Sequence, residues 1–276
     1  MSVTLSNTGC SAVEDFSCYN GEGTVLRKAQ MRLLEMLVEF DRICKKHDIQ
    51  YFLSGGTCLG AVRHGGFIPW DDDVDIDIWH SDFDRLVNIL NHEVSERYFV
   101  QTDRSDPAFA RKYLRLVDRK STVRYEDNIK RESFRHHGLW IDVFPLEKCL
   151  SYSVKKNIDY LYTGSMMNLQ VKRGRTLKSA ASVVIFPLAS LSAAIISGLS
   201  RIFASDNKIS HMFGTGMAPR LNYKHCFPSK PLIFEGHDFQ GPADPHTYLE
   251  NLYGCDYMSI PPKRKRAAHA ESIQVY

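Results

Sequence analysis

Five aspartates fall within seven positions of this chain, Asp71, Asp72, Asp73, Asp75 and Asp77, and from Asp73 onward acid and aliphatic residues alternate through Val74, Ile76 and Ile78. Period two marks a strand with one buried face, so Asp73, Asp75 and Asp77 are expected to project from one side. Neighbouring carboxylates repel, and either raised pKa values or a bound cation must relieve them. Magnesium suits such a face, with manganese as the alternative. A hard divalent cation takes one or two carboxylates and leaves its other positions to phosphate oxygens and water. Upstream, an apolar run from Ile49 to Leu53 meets Ser54, Gly55 and Gly56, and a helical stretch follows from Thr57 to about His64. A strand that turns on glycines into a helix start offers backbone N–H groups to an anion, most often a phosphate. A lone Gly-Gly turn or a lone Asp-x-Asp is weak evidence, since solvated acidic turns are common. Together they predict a phosphate cradle, Ser54 to Thr57, facing a metal-binding carboxylate strand.

The elements that must hold these groups can be read around them. Leu26, Leu33, Met36, Leu37, Phe40 and Ile43 recur at helical steps and predict an amphipathic helix over Val25–His47. After the acidic strand, Ser81 and Asp84 have the spacing of a helix cap ahead of the apolar stripe Phe83, Leu86, Val87, Leu90 and Val94. Tyr98 to Gln101 reads as a strand. Arg111 to Arg119 alternates basic and apolar residues and is either an ordinary edge strand with solvated arginines or a phosphate-binding one. Thr122 to Tyr125 is similar. In the run from Gly138 to Leu146, Asp142 sits between Ile141 and Val143, and an acid in such apolar company is paired or coordinating. Helices alternating with strands predict an α/β (α+β) fold with a mixed sheet flanked by helices.

The run GGTCLGAVRHGGFIPWDDDVDIDI, with Arg63, His64, Gly66, Ile68, Pro69, Trp70 and Asp71 to Asp75, resembles the signature of the LicD family, the phosphocholine-transferase-like proteins that include the fukutin group. The segment from His136 to Leu146 and the stretch YLENLYGCDYMSIPPKRKR from Tyr248 are similar to later blocks of that family. The resemblance implies a nucleotidyltransferase-like fold and supplies a third metal carboxylate, Asp142, beside Asp73 and Asp75. A hydrogen-bonded core acid is the alternative for Asp142. The resemblance further implies metal-dependent transfer of a phospho-alcohol such as phosphocholine from a CDP-activated donor to a hydroxyl of a cell-surface glycan or its lipid-linked precursor. In that scheme Gly55 and Gly56 bind phosphate through their amides, Arg63 clamps the donor, and Asp71 accepts the acceptor's proton. Lys263 to Arg266 would either be a solvated tail or reach the phosphates. A glycosyltransferase using its Asp-x-Asp for a nucleotide sugar, and an inactive scaffold of the same fold, are the competing readings. A calcium loop is excluded, because its sixth position would be Ile76 and its twelfth Asp82.

A chain of 276 residues, 43% hydrophobic, suits one domain, expected over 22–276 behind a flexible segment 1–21. A net charge of +3 gives no case for nucleic acid as a partner. Seven scattered cysteines without a CxxC pair suggest a reducing compartment, and the N-terminal residues lack the pattern of a signal peptide. An insertion at about 150–225 has no motif, but within it Ser179 to Ser200 is free of charge and flanked by Lys172, Arg173, Arg175, Lys178 and Arg201. Its serines, Pro187 and Gly198 argue against a spanning helix. The expectation is a helix or hairpin that either packs on the core as a buried pair or dips into one leaflet, giving a cytoplasmic protein held at the inner face of a membrane.

Overall fold

The stripe read from Val25 onward forms the helix on which the sheet is built, in a computed structural model that describes residues 15–124, 133–170, 177–266 and 270–276. After a single turn, α1 (Ser17–Asn20), comes α2 (Val25–Lys46), whose start is capped by Thr24 Oγ1 accepting from the Arg27 N–H at 3.2 Å. It buries Leu33, Met36, Leu37, Phe40 and Ile43. There follow β1 (Tyr51–Leu53), α3 (Gly55–His64), β2 (Val74–Trp79), α4 (His80–Glu93), β3 (Tyr98–Gln101), β4 (Leu114–Asp118), β5 (Ser121–Arg124) and β6 (Trp140–Lys148). The insertion supplies α5 (Tyr152–Gln170) and α6 (Leu177–Phe203), then β7 (Lys208–His211), β8 (Leu221–Asn222) and α7 (Tyr223–Cys226). The chain closes with β9 (Lys230–Phe234), β10 (His237–Gly241), α8 (Pro245–Tyr253), a 3-10 turn at Lys263–Lys265 and β11 (Ser272–Val275).

The main sheet runs β1-β2-β6-β4-β3, with β7 on the far half of β6 and β8 beside β7. Only β2 and β6 are parallel; the other pairs are antiparallel, so the sheet is mixed as expected. One face, carrying Tyr51, Leu53, Val74, Ile76, Ile78, Leu114, Leu116, Ile141 and Val143, packs on α2 and α4. The other face meets Phe52, Cys58, Leu59, Trp70, Leu146, Tyr248 and Leu249. The period-two pattern is therefore a division between an apolar core and a second layer that includes α3 and α8.

Several expectations change. Helix α3 begins at Gly55, and α4 begins at His80 without the cap expected from Ser81. Strand β4 is interior, because β3 covers its outer edge. Residues 15–20, read as part of a loose segment, pack by Phe16 and Tyr19 against Trp70. The charge-free run is one helix, α6, paired with α5, but the pair is not buried: its large side chains face outward. Lys172, Arg173, Arg175 and Tyr125 lie outside the described residues.

Candidate active site

Register sets the central row. Across β2, β6 and β4, Asp75 is the partner of Asp142 and Asp142 the partner of Arg115, so the three side chains line up on the face away from α2. The row gathers the two acids as expected, but it also brings a cation. Arg115 Nε donates to Asp142 Oδ1 at 2.7 Å and Nη2 to Oδ2 at 2.9 Å, while Trp140 Nε1 donates to Oδ2 at 3.1 Å. The guanidinium lies 4.0 Å from a Trp140 ring centroid and its Nη2 reaches the Tyr113 hydroxyl at 3.3 Å. Arg115 is thus neither a solvated edge residue nor open to phosphate. Asp142 stands beside Asp75 with both oxygens engaged by Arg115 and Trp140.

The glycine turn is tied to the acidic strand from both sides. Thr57 Oγ1 accepts from the Asp75 N–H at 2.9 Å, and the Ser54 N–H donates to the Asp75 carbonyl at 3.0 Å. Gly55 adopts φ +51°, a left-handed conformation that favours glycine, and its N–H donates to the Tyr248 hydroxyl at 3.0 Å. That amide is committed to the protein rather than offered to phosphate. A Cβ at Gly56 would stand 3.0 Å from Asp71 Oδ2, and one at Gly55 would stand 3.3 Å from Asp75 Oδ2 and 3.7 Å from the Tyr253 hydroxyl. The start of α3, Asp71, Asp75 and Tyr253 therefore meet at one point. Within the helix the Gly56 and Thr57 N–H groups have no carbonyl to donate to, as in any first turn.

Crowding shows in the protonation of these groups. Burial, then the charges of Asp73, Asp142 and Asp71, hold Asp75 well above the usual carboxylate range. Asp71 is raised by burial and by Asp73, with which it shares a hydrogen bond. Burial and the charge of Asp75 push the Tyr253 phenol up as well. The remaining aspartates serve the fold. Asp77 is buried with His211 Nε2 3.0 Å from its Oδ1, and Asp72 Oδ2 accepts from the Ala270 N–H at 2.8 Å.

Next to Gly56 opens a cleft of about 570 Å³ lined by Leu59, Arg63, Trp70, Tyr253, Tyr257 and Lys265 among others, a size suited to a small-molecule ligand. Arg63 lines it, and its Nη1 donates to the carbonyls of Tyr257 at 3.0 Å and Ser259 at 3.2 Å. It fastens the C-terminal loop over the cleft. From that loop Lys265 reaches the rim, while Arg266 lies over Phe16 and Trp70.

Among the described residues, no three His, Cys, Asp or Glu side chains converge as a ready-made metal cage. A cage is not what magnesium needs, since one or two carboxylates with substrate phosphates and water suffice. The carboxyl groups of Asp71 and Asp75, raised by burial and by the neighbouring carboxylates beside a helix start, fit such a cation together with Asp73, while Asp142 is paired with Arg115.

A family model described as the LicD/FKTN/FKRP nucleotidyltransferase domain matches residues 48–196, just over half of the chain and including the whole Asp75–Asp142–Arg115 row. The chain belongs to this LicD family. It is accordingly a phosphotransferase of the LicD type. The lipopolysaccharide cholinephosphotransferase LicD of Haemophilus influenzae is 26% identical over 258 residues, 88% of this chain and 95% of that protein. The ribitol 5-phosphate transferase FKRP of Homo sapiens is 45% identical over 56 residues, 19% of this chain and 11% of that protein. An uncharacterized protein of Rickettsia prowazekii is 30% identical over 125 residues, 44% of this chain and 47% of that protein.

Tyr248 and Tyr253 escape sequence reasoning. Tyr248 is buried on α8 and Tyr253 ends it half exposed, and nothing in their spacing says that their hydroxyls come to the glycine turn some two hundred residues earlier. Arg115 gave a signal, its alternation with leucines, but its partner is defined only by strand register.

Proposed function

We propose that this LicD-family protein transfers a phospho-alcohol from a CDP-activated donor to a hydroxyl of a glycan or its lipid-linked precursor, with magnesium or manganese held by Asp73 and Asp75. When bound, the cation would neutralise charge on the donor's diphosphate and the leaving CMP. The observation that carries this reading is the meeting of Asp71, Asp75 and the α3 start at the mouth of a nucleotide-sized cleft. Gly56 and Thr57 N–H groups receive phosphate oxygens, aided by the positive end of the helix dipole. Lys265 at the rim supplies a further positive charge to the diphosphate. Asp71, with its raised pKa, is suited to take the acceptor's proton. The acceptor oxygen then bonds to the phosphorus bearing the alcohol, the bond from that phosphorus to the bridging oxygen breaks, and CMP departs. In-line positioning and charge neutralisation suffice for such a step, so no covalent nucleophile is required. Tyr248 and Thr57 act by position, fixing the glycine turn against the acidic strand. The names of the relatives, one a cholinephosphotransferase and one a ribitol 5-phosphate transferase, favour a CDP-alcohol over a sugar nucleotide.

The test is a donor panel. Purified protein is incubated with magnesium and CDP-choline, CDP-ribitol or sugar nucleotides, and slow hydrolysis is followed by chromatography. Release of CMP from one CDP-alcohol is the expected result. Release of a nucleoside diphosphate from a sugar nucleotide would instead assign a glycosyltransferase.

A further inference from the structure

Helix α6 is built inside out. The residues it buries are small, Ser182, Ala189, Ala193 and Ser200, while Val184, Leu188, Leu191, Ile195, Leu199 and Ile202 form an exposed stripe at steps of three and four. Leu188 is 61% exposed, Leu191 60% and Ile202 73%, and the stripe spans roughly 27 Å at 1.5 Å per residue. Scattered surface leucines are ordinary, but a continuous aliphatic ridge of this length marks a binding surface. Helix α5, which packs on α6, also exposes Tyr160, Leu161 and Leu169.

Charge identifies what covers the ridge. On the described residues of α5 and α6 the only carboxylate is Asp159, which is buried, whereas Lys156, Lys178 and Arg201 are exposed. An aliphatic stripe edged by cations alone matches acyl chains beneath anionic headgroups. A second copy fits less well, since the positions flanking a coiled-coil seam ordinarily carry paired charges of both signs and here are alanine, serine and glycine. The helix is also moored to the domain over its last two turns. Ser197 Oγ donates to Glu147 Oε1 at 3.1 Å, and Ser200 Oγ accepts from the Leu150 N–H at 3.2 Å. Glu147 forms a buried ion pair with Lys155 of α5. A helix bound to the domain by buried ionic and polar contacts cannot cross a bilayer without carrying them into hydrocarbon.

We propose that α6, supported by α5, lies in the plane of one leaflet of an anionic membrane and seats the domain on its surface. The site described above is untouched by this assignment, and vesicle binding is measured without donor or acceptor. The experiment is flotation of the full chain with vesicles of phosphatidylcholine alone or mixed with phosphatidylglycerol, at low and high salt, followed by alkaline carbonate extraction. The comparison variants are Leu191→Glu, in the middle of the ridge, and Lys178→Gln with Arg201→Gln. All three positions are exposed, and circular dichroism melts check the fold. Expected results are salt-sensitive binding to the anionic vesicles, release by carbonate, loss of binding in Leu191→Glu, and a roughly fivefold weakening for each basic residue removed. Three results would overturn the proposal: wild-type protein that binds neither vesicle, Leu191→Glu that binds as well as wild type, or binding that survives carbonate. Self-association abolished by Leu191→Glu in the absence of vesicle binding would assign the ridge to a second copy.

Discussion

Replacing Arg115 by methionine tests whether the row on the sheet is an electrostatic unit. The guanidinium and the Asp142 carboxylate are 7% and 10% exposed and joined by two hydrogen bonds. Methionine keeps most of the volume against Trp140 and Phe109 but leaves Asp142 buried beside Asp75, with the Trp140 N–H still donating to it. Removing one partner of a buried pair costs about 3 to 5 kcal/mol. At about 2 to 4 °C per kcal/mol for a chain of roughly this size, the melting temperature should fall by roughly 6 to 20 °C. The double variant Arg115→Met, Asp142→Leu should recover most of that loss, since both charges are then gone. Magnesium should protect Arg115→Met more than wild type, because the freed carboxylate adds to the acidic cluster. Urea and thermal melts with and without magnesium measure all three. A loss below about 1 kcal/mol for Arg115→Met, or a double variant no more stable than the single, would refute the reasoning.

In metal-free protein, Asp75→Asn should raise the melting temperature at neutral pH. A carboxyl whose folded pKa is raised contributes stability below its unfolded pKa that is lost as pH rises through the folded value, so wild type should gain on the variant as pH falls toward the usual carboxylate range. Melts of both proteins across that window check it, and parallel curves would contradict it. Gly56→Val should weaken binding of a non-hydrolysable CDP-alcohol analogue on the order of tenfold or more while sparing magnesium affinity, because the side chain enters the space between the α3 start and Asp71. Calorimetry of each ligand separates the two. Thr57→Ala should cost about 1 kcal/mol by releasing the Asp75 N–H, read from urea midpoints.

The parts of this protein written in local pattern were legible before the fold. Alternation through Val74, Asp75, Ile76, Asp77 and Ile78 fixed the strand and its two faces, because side-chain direction in a strand follows from period alone. Where the polar face leads was not legible. Asp77 follows the same period as Asp75 yet ends buried against His211 of β7, an element that returns only after the helical insertion. The surroundings of Asp142 likewise depend on which strand lies beside β6, and only the fold places Arg115 opposite it. Gly55 was read as an anion-binding amide because a glycine before a helix permits it; Tyr248 takes that amide from the far end of the chain. Apolarity marked Ser179 to Ser200 as a helix or a hairpin, of which the structure has the single helix, but its inverted packing needs knowledge of which stripe meets the domain.

The central claim is that Asp73 and Asp75 hold the cation on which transfer depends. Wild type, Asp73→Asn and Asp75→Asn are compared in single-turnover CMP release from the preferred CDP-alcohol across a magnesium titration. An amide keeps the shape and removes the charge, so each variant should stay folded and lose nearly all release at every magnesium concentration. Near wild-type release from either variant at saturating magnesium would contradict the account.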